Sequence, residues 1–182
     1  GYILLPMNRF AEAELLLRRA LDIHKAINGE HHPSVASDYH HLAVALKGMG
    51  RMDEAEKLFR RALTMDEVFN GDHMVARDLF SLAHLLWDTN RREEVEPLLR
   101  RAIACDEATY GLNHAFVASG LVDLARVLQA TDRRKEAESL VRRAIAIFEQ
   151  EMGPHDRRTR AARQQLDYLL FLLAPPRACD IY

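Results

Sequence analysis

The sequence predicts an all-α fold, a solenoid of antiparallel helix pairs, and three observations predict it. The first is a phrase written four times: AELLLRRAL at Ala13–Leu21, AEKLFRRAL at Ala55–Leu63, VEPLLRRAI at Val95–Ile103 and AESLVRRAI at Ala137–Ile145. Its starts lie 42, 40 and 42 residues apart, and a fixed period in the tens of residues marks stacked repeats. The second is the spacing inside each copy. A small residue, a large apolar residue four on and an alanine three beyond share one helical face, as Ala55, Phe59 and Ala62 do. The third is the punctuation, a Gly-x-(x)-His turn and a short polar turn once per period, with no strand pattern between them.

The elements follow in order. Ile3, Leu4 and Leu5 read as the last turn of a helix whose upstream partners are missing, so this end either continues or packs on another chain. Arg9–Asn28 is the first complete helix, closed by Gly29. Each later unit opens on Gly29–His32, Gly71–His73, Gly111–His114 or Gly153–His155, where glycine supplies the left-handed residue that ends a helix. A helix of about 16 residues follows. The turns at Gly50–Met52, Asn90–Arg92 and Asp132–Arg133 are short enough to force antiparallel neighbours. Pro33 fits a first helical turn, whereas Pro97 predicts a bend or a late start in its helix. Eight main helices result. The chain reads as a single array over 1–182: a partial repeat at 1–29, repeats at 33–71, 74–111 and 115–153, a capping helix at 156–173 and a tail at 174–182.

Composition excludes several functions. With 48% hydrophobic and 29% charged residues the chain is that of an ordinary globular protein, and a net charge of −2 gives no reason for a polyanionic partner. No apolar run approaches the ~20 residues of a membrane span. Cys105 and Cys179 are too few and too distant for a disulfide framework or a zinc site, which favours a reducing cytoplasm. The i,i+4 pairs Glu14–Arg18, Glu56–Arg60, Glu96–Arg100 and Glu138–Arg142 are oriented as helices prefer and contribute about 0.2–0.5 kcal/mol each.

The repeats resemble tetratricopeptide repeats, in the long variety of about 42 residues found in kinesin light chains. The resemblance rests on Leu42–Ala43, Leu82–Ala83 and Leu124–Ala125, each followed by a large residue (Leu46, Leu86, Leu128). In the second helices it rests on Ala13–Leu17–Ala20, Ala55–Phe59–Ala62, Val95–Leu99–Ala102 and Ala137–Val141–Ala144. Leu166–Asp167 departs from that pattern, as suits a capping helix. The resemblance implies a right-handed superhelix whose concave groove is lined by the first helix of every pair and holds a partner protein or peptide, with no chemistry of its own. Carried over residue by residue, the groove positions are His40, His41, Val44 and Lys47, then Arg77, Phe80, Ser81, His84 and Trp87. Further on they are Ser119, Val122, Asp123, Arg126 and Gln129, then Gln164, Gln165, Tyr168 and Phe171. The Lys, Asn and Arg positions that clamp acidic chaperone tails in one subclass are here His40, Val44, Phe80, His84, Val122 and Arg126, so that ligand is not expected. Nor do known cargo motifs carry over, because His41, Ser81, Asp123 and Gln165 stand where kinesin light chains often have Asn.

Candidate sites carry two readings each. Trp87, Phe80, Tyr168 and Phe171 are either hot-spot aromatics on a groove wall or packing residues. The adjacent pairs His31–His32 and His40–His41 diverge by about 100° on a helix and make poor chelators. The turn histidines His32, His73, His114 and His155 read as local structure, and no metal or cofactor is expected. Arg157, Arg158, Arg160 and Arg163, with only Asp156 near in sequence, are either surface charge or an anion contact. Phosphate loops, nucleophile elbows and H-E-x-x-H are missing, and Cys105 lacks a telling histidine, so no enzyme is expected. The expected function is a protein–protein interaction scaffold or adaptor module of a larger signalling or regulatory protein. The alternatives are self-association through the ends and, behind it, nucleic-acid binding through Arg157–Arg163.

Overall fold

The computed structural model describes residues 9–69 and 71–174. Eight α-helices run through them: α1 Phe10–Asn28, α2 Pro33–Gly48, α3 Met52–Phe69, α4 Asp72–Asp88, α5 Val95–Tyr110, α6 Ala115–Ala130, α7 Arg134–Met152 and α8 Arg157–Leu173. Among the described residues there is no strand. The expectations for Ile3–Leu5 and for most of the tail fall outside these residues. The chain forms two compact units, Gly1–Cys105 and Asp106–Tyr182, with the boundary inside α5.

In the first unit α1 packs on α2, α2 on α3 and α3 on α4. The repeated phrase is the reason. Ala13, Ala55 and Ala62 have no exposed surface, which lets neighbouring helices approach, while Leu17 and Phe59 fill the space between. Leu42, Ala43 and Leu46 of α2 and Leu82, Ala83 and Leu86 of α4 meet them from the other side, all buried. On α5, Ala102 closes against Val75 and Leu79 of α4. In the second unit α7 packs between α6 and α8 through Ala137, Val141 and Ala144.

The helix ends follow local chemistry. α2, α4 and α6 finish alike: the N–H groups of Arg51, Arg91 and Arg133 return to the carbonyls of Leu46, Leu86 and Leu128 at 3.0, 2.9 and 2.9 Å. This closure needs a residue of positive φ, supplied by Gly50 (78°), Asn90 (62°) and Asp132 (64°). Gly29 and Gly153 also have positive φ, but with ψ of 163° and 168° they are extended rather than left-handed, a region essentially reserved to glycine. Pro97 behaves as expected: a 3-10 turn at Arg92–Glu94 precedes α5, so the proline falls in the first turn, where its missing N–H costs little.

The turn histidines divide into two kinds. His32 and His114 are N-caps whose Nδ1 accepts from the N–H of Ser34 and of Phe116, both at 3.2 Å. His73 and His155 do not cap. They follow their glycine by two residues instead of three, so His73 falls inside α4 behind an N-cap Gly71. At α8 the cap is Asp156, which accepts from the Arg158 N–H at 2.8 Å.

Candidate interaction faces

The groove positions of the first unit lie on α2 and α4. His41, Val44 and Lys47 of α2 are half-buried, as are Arg77, Phe80, Ser81 and Trp87 of α4, and His84 is exposed. His40 corrects the expectation: only 6% exposed, it points into the helix seam, where its Nδ1 lies 2.7 Å from Asp78 Oδ1. Phe80 leans on the core formed by Val75, Leu79 and Ala102. Trp87 carries the Arg92 guanidinium 5.0 Å from its ring centroid. Lys47 Nζ is paired with Asp88 at 2.8 Å, and the Ser81 hydroxyl donates to the Arg77 carbonyl.

Beneath this face lies a buried polar network. Arg77 sits 3.0 Å from Asp66 of α3 and 3.0 Å from Asp78 of its own helix, and both carboxyl groups have no exposed surface. Burial pushes the Asp78 carboxyl up, with Arg77 opposing, and its Oδ2 is buried without a hydrogen-bond partner. Burial, and then Arg77, push His40 down to about 3. His41 is pushed down to about 4, chiefly by burial. Its Nδ1 bonds the Ser37 carbonyl, which can only accept, so Nδ1 carries the hydrogen.

This network is the part that sequence reading missed, although the repeat register holds the signal. His24, Asp66, Asp106 and Phe148 occupy one position of the second helices, and Asp38, Asp78, Gly120 and Ala162 one position of the first helices that follow them. His24 Nδ1 meets Asp38 Oδ2 at 2.5 Å. Polar residues at a core-facing register were the available clue. In the second unit Asp106 is 4% exposed and is pushed up to about 6 by burial, with His114 opposing.

The second unit's positions lie on α6 and α8. Ser119, Val122, Asp123, Gln129 and Gln165 are half-buried, and Arg126, Gln164, Tyr168 and Phe171 are exposed. Arg126 pairs with Asp123 at 3.4 Å, and the Ser119 hydroxyl donates to the Ala115 carbonyl at 3.0 Å. Tyr168 and Phe171 are 54% and 73% exposed, so of the four aromatics they are the open ones, while Phe80 and Trp87 are partly engaged within the protein.

Most of the remaining charged candidates are paired within the protein. All four i,i+4 pairs form, with distances of 2.7 to 2.9 Å. In three of the four repeated phrases the arginine after the paired one reaches back along the chain: Arg61 to Glu30, Arg101 to Glu67 at 2.6 Å and Arg143 to Glu107 at 2.7 Å. Arg163 pairs with Glu149 of α7 at 2.7 Å, a partner that proximity in sequence did not reveal. Arg158 lies 3.7 Å from Asp156 and over the Phe148 ring. Cys105 is half-buried against the first unit's core. Among the described residues no three His, Cys, Asp or Glu side chains gather as a metal site, and no helix is long and apolar enough to cross a membrane.

Helix pairs with this spacing define a class, the tetratricopeptide arrays, and the comparisons agree. The tetratricopeptide repeat family matches at residues 1–67, 39–108 and 79–150, and the chain belongs to that family. No curated protein matches the sequence. Among solved structures it is similar to a kinesin light chain-like protein of Podosopora anserina with nearly identical TPR-like repeats, at 21% identity and TM-score 0.78, covering 93% of this chain and 81% of that one. It is also similar to BtubC (BKLC) of P. vanneervenii, at 21% identity and TM-score 0.74, covering 93% and 78%. A third is a Rap protein complexed with Competence and Sporulation Factor, at 14% identity and TM-score 0.71, covering 94% and 52%. The chain therefore has the all-α tetratricopeptide solenoid fold. Such arrays generally mediate protein–protein interactions and are typically scaffolds without chemistry of their own.

Proposed function

We propose that this chain is an interaction scaffold that binds a partner peptide or domain on the exposed faces of its first helices, as an adaptor module in a signalling or regulatory protein of a reducing, cytoplasmic compartment. One observation carries the reading. Nearly all the apolar residues that repeat are buried, and those left at the surface of α2 and α4 differ from repeat to repeat and include apolar Val44, Phe80 and Trp87 among polar neighbours. A surface already held in shape by nearest-neighbour packing leaves the partner to bear most of the ordering cost. The family match runs from residue 1 to residue 150, which supports reading the chain as one array. The Rap neighbour's complex with Competence and Sporulation Factor is in keeping with a bound partner on such a fold. Titration calorimetry with peptides selected on the purified chain tests the proposal. Binding is expected to be lost on Val44→Asp with Trp87→Ala and kept on Ile27→Asp, a change at a 74% exposed site on α1. Equal loss in both variants would refute it.

Self-association is the second reading, favoured by Tyr168, Leu170 and Phe171, which are 54%, 40% and 73% exposed on α8. Sedimentation would then show a concentration-dependent dimer that Phe171→Glu dissolves, and a monomer at all concentrations would exclude it. Nucleic-acid binding has less support, because Arg158 and Arg163 already face Asp156 and Glu149.

A further inference from the structure

Resting on the interaction reading above, we propose that the α2–α4 face takes a peptide segment with apolar side chains and without acidic ones at the contact. The argument is one of charge complementarity. Acidic ligands bind where cations stand ready to replace their lost hydration, and on this face Arg77 and Lys47 are already paired, which leaves Arg92. Arg77 is held by Asp66 and Asp78 at 3.0 Å each, both without exposed surface. Drawing it toward a ligand would leave buried carboxylate charge uncompensated. Lys47 is held across the face by Asp88 at 2.8 Å. The Arg92 guanidinium lies over the indole ring at 5.0 Å.

What remains for recognition is largely apolar, with the exposed His84 on the same face of α4 between Phe80 and Trp87. Val44 on α2 and Phe80 and Trp87 on α4 are half-buried, each offering part of its surface. His41 adds no positive charge at neutral pH, since its Nδ1–H is committed to the Ser37 carbonyl and burial pushes the ring down to about 4. Phe80 and Trp87 are seven residues apart on one helix, a rise of about 10 Å. The complementary segment therefore presents two apolar side chains at about that separation, with uncharged residues between them.

The test is selection from an unbiased peptide library on the purified full chain, followed by affinity measurement across a salt series. Enriched peptides are expected to carry paired large apolar residues without an excess of Asp or Glu. Their affinity is expected to change by less than about twofold between low salt and about 0.5 M salt, and to fall by about tenfold or more on Val44→Asp. Circular dichroism checks the fold of that variant, and Val44→Ser replaces it should it unfold. An acidic consensus whose affinity falls steeply with salt would overturn this inference while leaving the interaction reading intact. A selection that yields no peptide sensitive to Val44 or Trp87 would overturn both.

Discussion

Replacing His41 by Gln should make the protein more resistant to acid, and the size of the effect follows from where the ring sits. In the folded chain burial holds His41 neutral down to about 4, against an ordinary value of 6.5. Because the folded value lies below the unfolded one, the unfolded chain takes up this proton first as pH falls. The stability associated with His41 is therefore complete above 6.5, declines between 6.5 and 4, and is constant again below that. Each pH unit inside the window is worth 1.36 kcal/mol for one proton, which gives up to about 2 kcal/mol between pH 6.5 and pH 5, and about 1–2 kcal/mol after discounting for the ring's partial exposure. Glutamine keeps a donor for the Ser37 carbonyl and removes the titration. Asp78 and Asp106 also titrate abnormally but are present in both proteins and cancel in the difference, whereas His40, whose ring lies 5.2 Å from that of His41, is followed separately by its own ring signal in both proteins. Urea unfolding of the two proteins at pH 7 and pH 5, with matched m-values, measures it. The Gln variant should gain about 1–2 kcal/mol on the wild type over that interval. A difference that does not change with pH, or a His41 ring signal titrating near 6.5 by NMR, would refute the assignment of His41 as a desolvated, neutral ring.

Three further outcomes follow from packing and backbone geometry. Ala62→Trp, at a site with no exposed surface between α3 and its neighbours, should destabilise by about 3 kcal/mol or more through overpacking, seen as a lower urea midpoint. Asn90, at φ of 62°, should tolerate glycine to within about 0.5 kcal/mol but lose about 1 kcal/mol as alanine, which thermal unfolding of the pair would resolve. His114→Ala removes the acceptor for the Phe116 N–H and the ring stacked 4.6 Å from Tyr110; a loss of about 1 kcal/mol is expected, with His114→Asp restoring most of it.

The helices were legible because periodicity and punctuation are local properties. Ala55, Phe59 and Ala62 declare a helical face by spacing alone, and Asn90 and Asp132 mark the same turn that Gly50 makes. The arginine pairs were legible for the same reason, their glutamates lying one turn away. What did not show was contact between residues distant in sequence that meet in the seams. His40 occupies a groove position by family register, yet Asp78, 38 residues later, draws it inward. Glu149 neutralises Arg163 from the facing helix, 14 residues upstream. The turn histidines show how far one residue matters: a glycine-to-histidine spacing of three makes a cap at α2 and α6, and a spacing of two does not at α4.

The polar seam distinguishes hairpins that otherwise look interchangeable. Near-identical modules in tandem are prone to docking with the wrong neighbour while the chain condenses. Here the matched positions read His24 with Asp38, Asp66 with Asp78, Asp106 with Gly120 and Phe148 with Ala162, so no two junctions share a pair. Seating α3 against any first helix other than α4 would leave the buried Asp66 carboxyl without Arg77, its partner at 3.0 Å. A few ionisable groups inside an alanine-rich stack thus give each junction its own pairing, and swapping one hairpin for a copy of another is expected to break that matching even with every alanine in place.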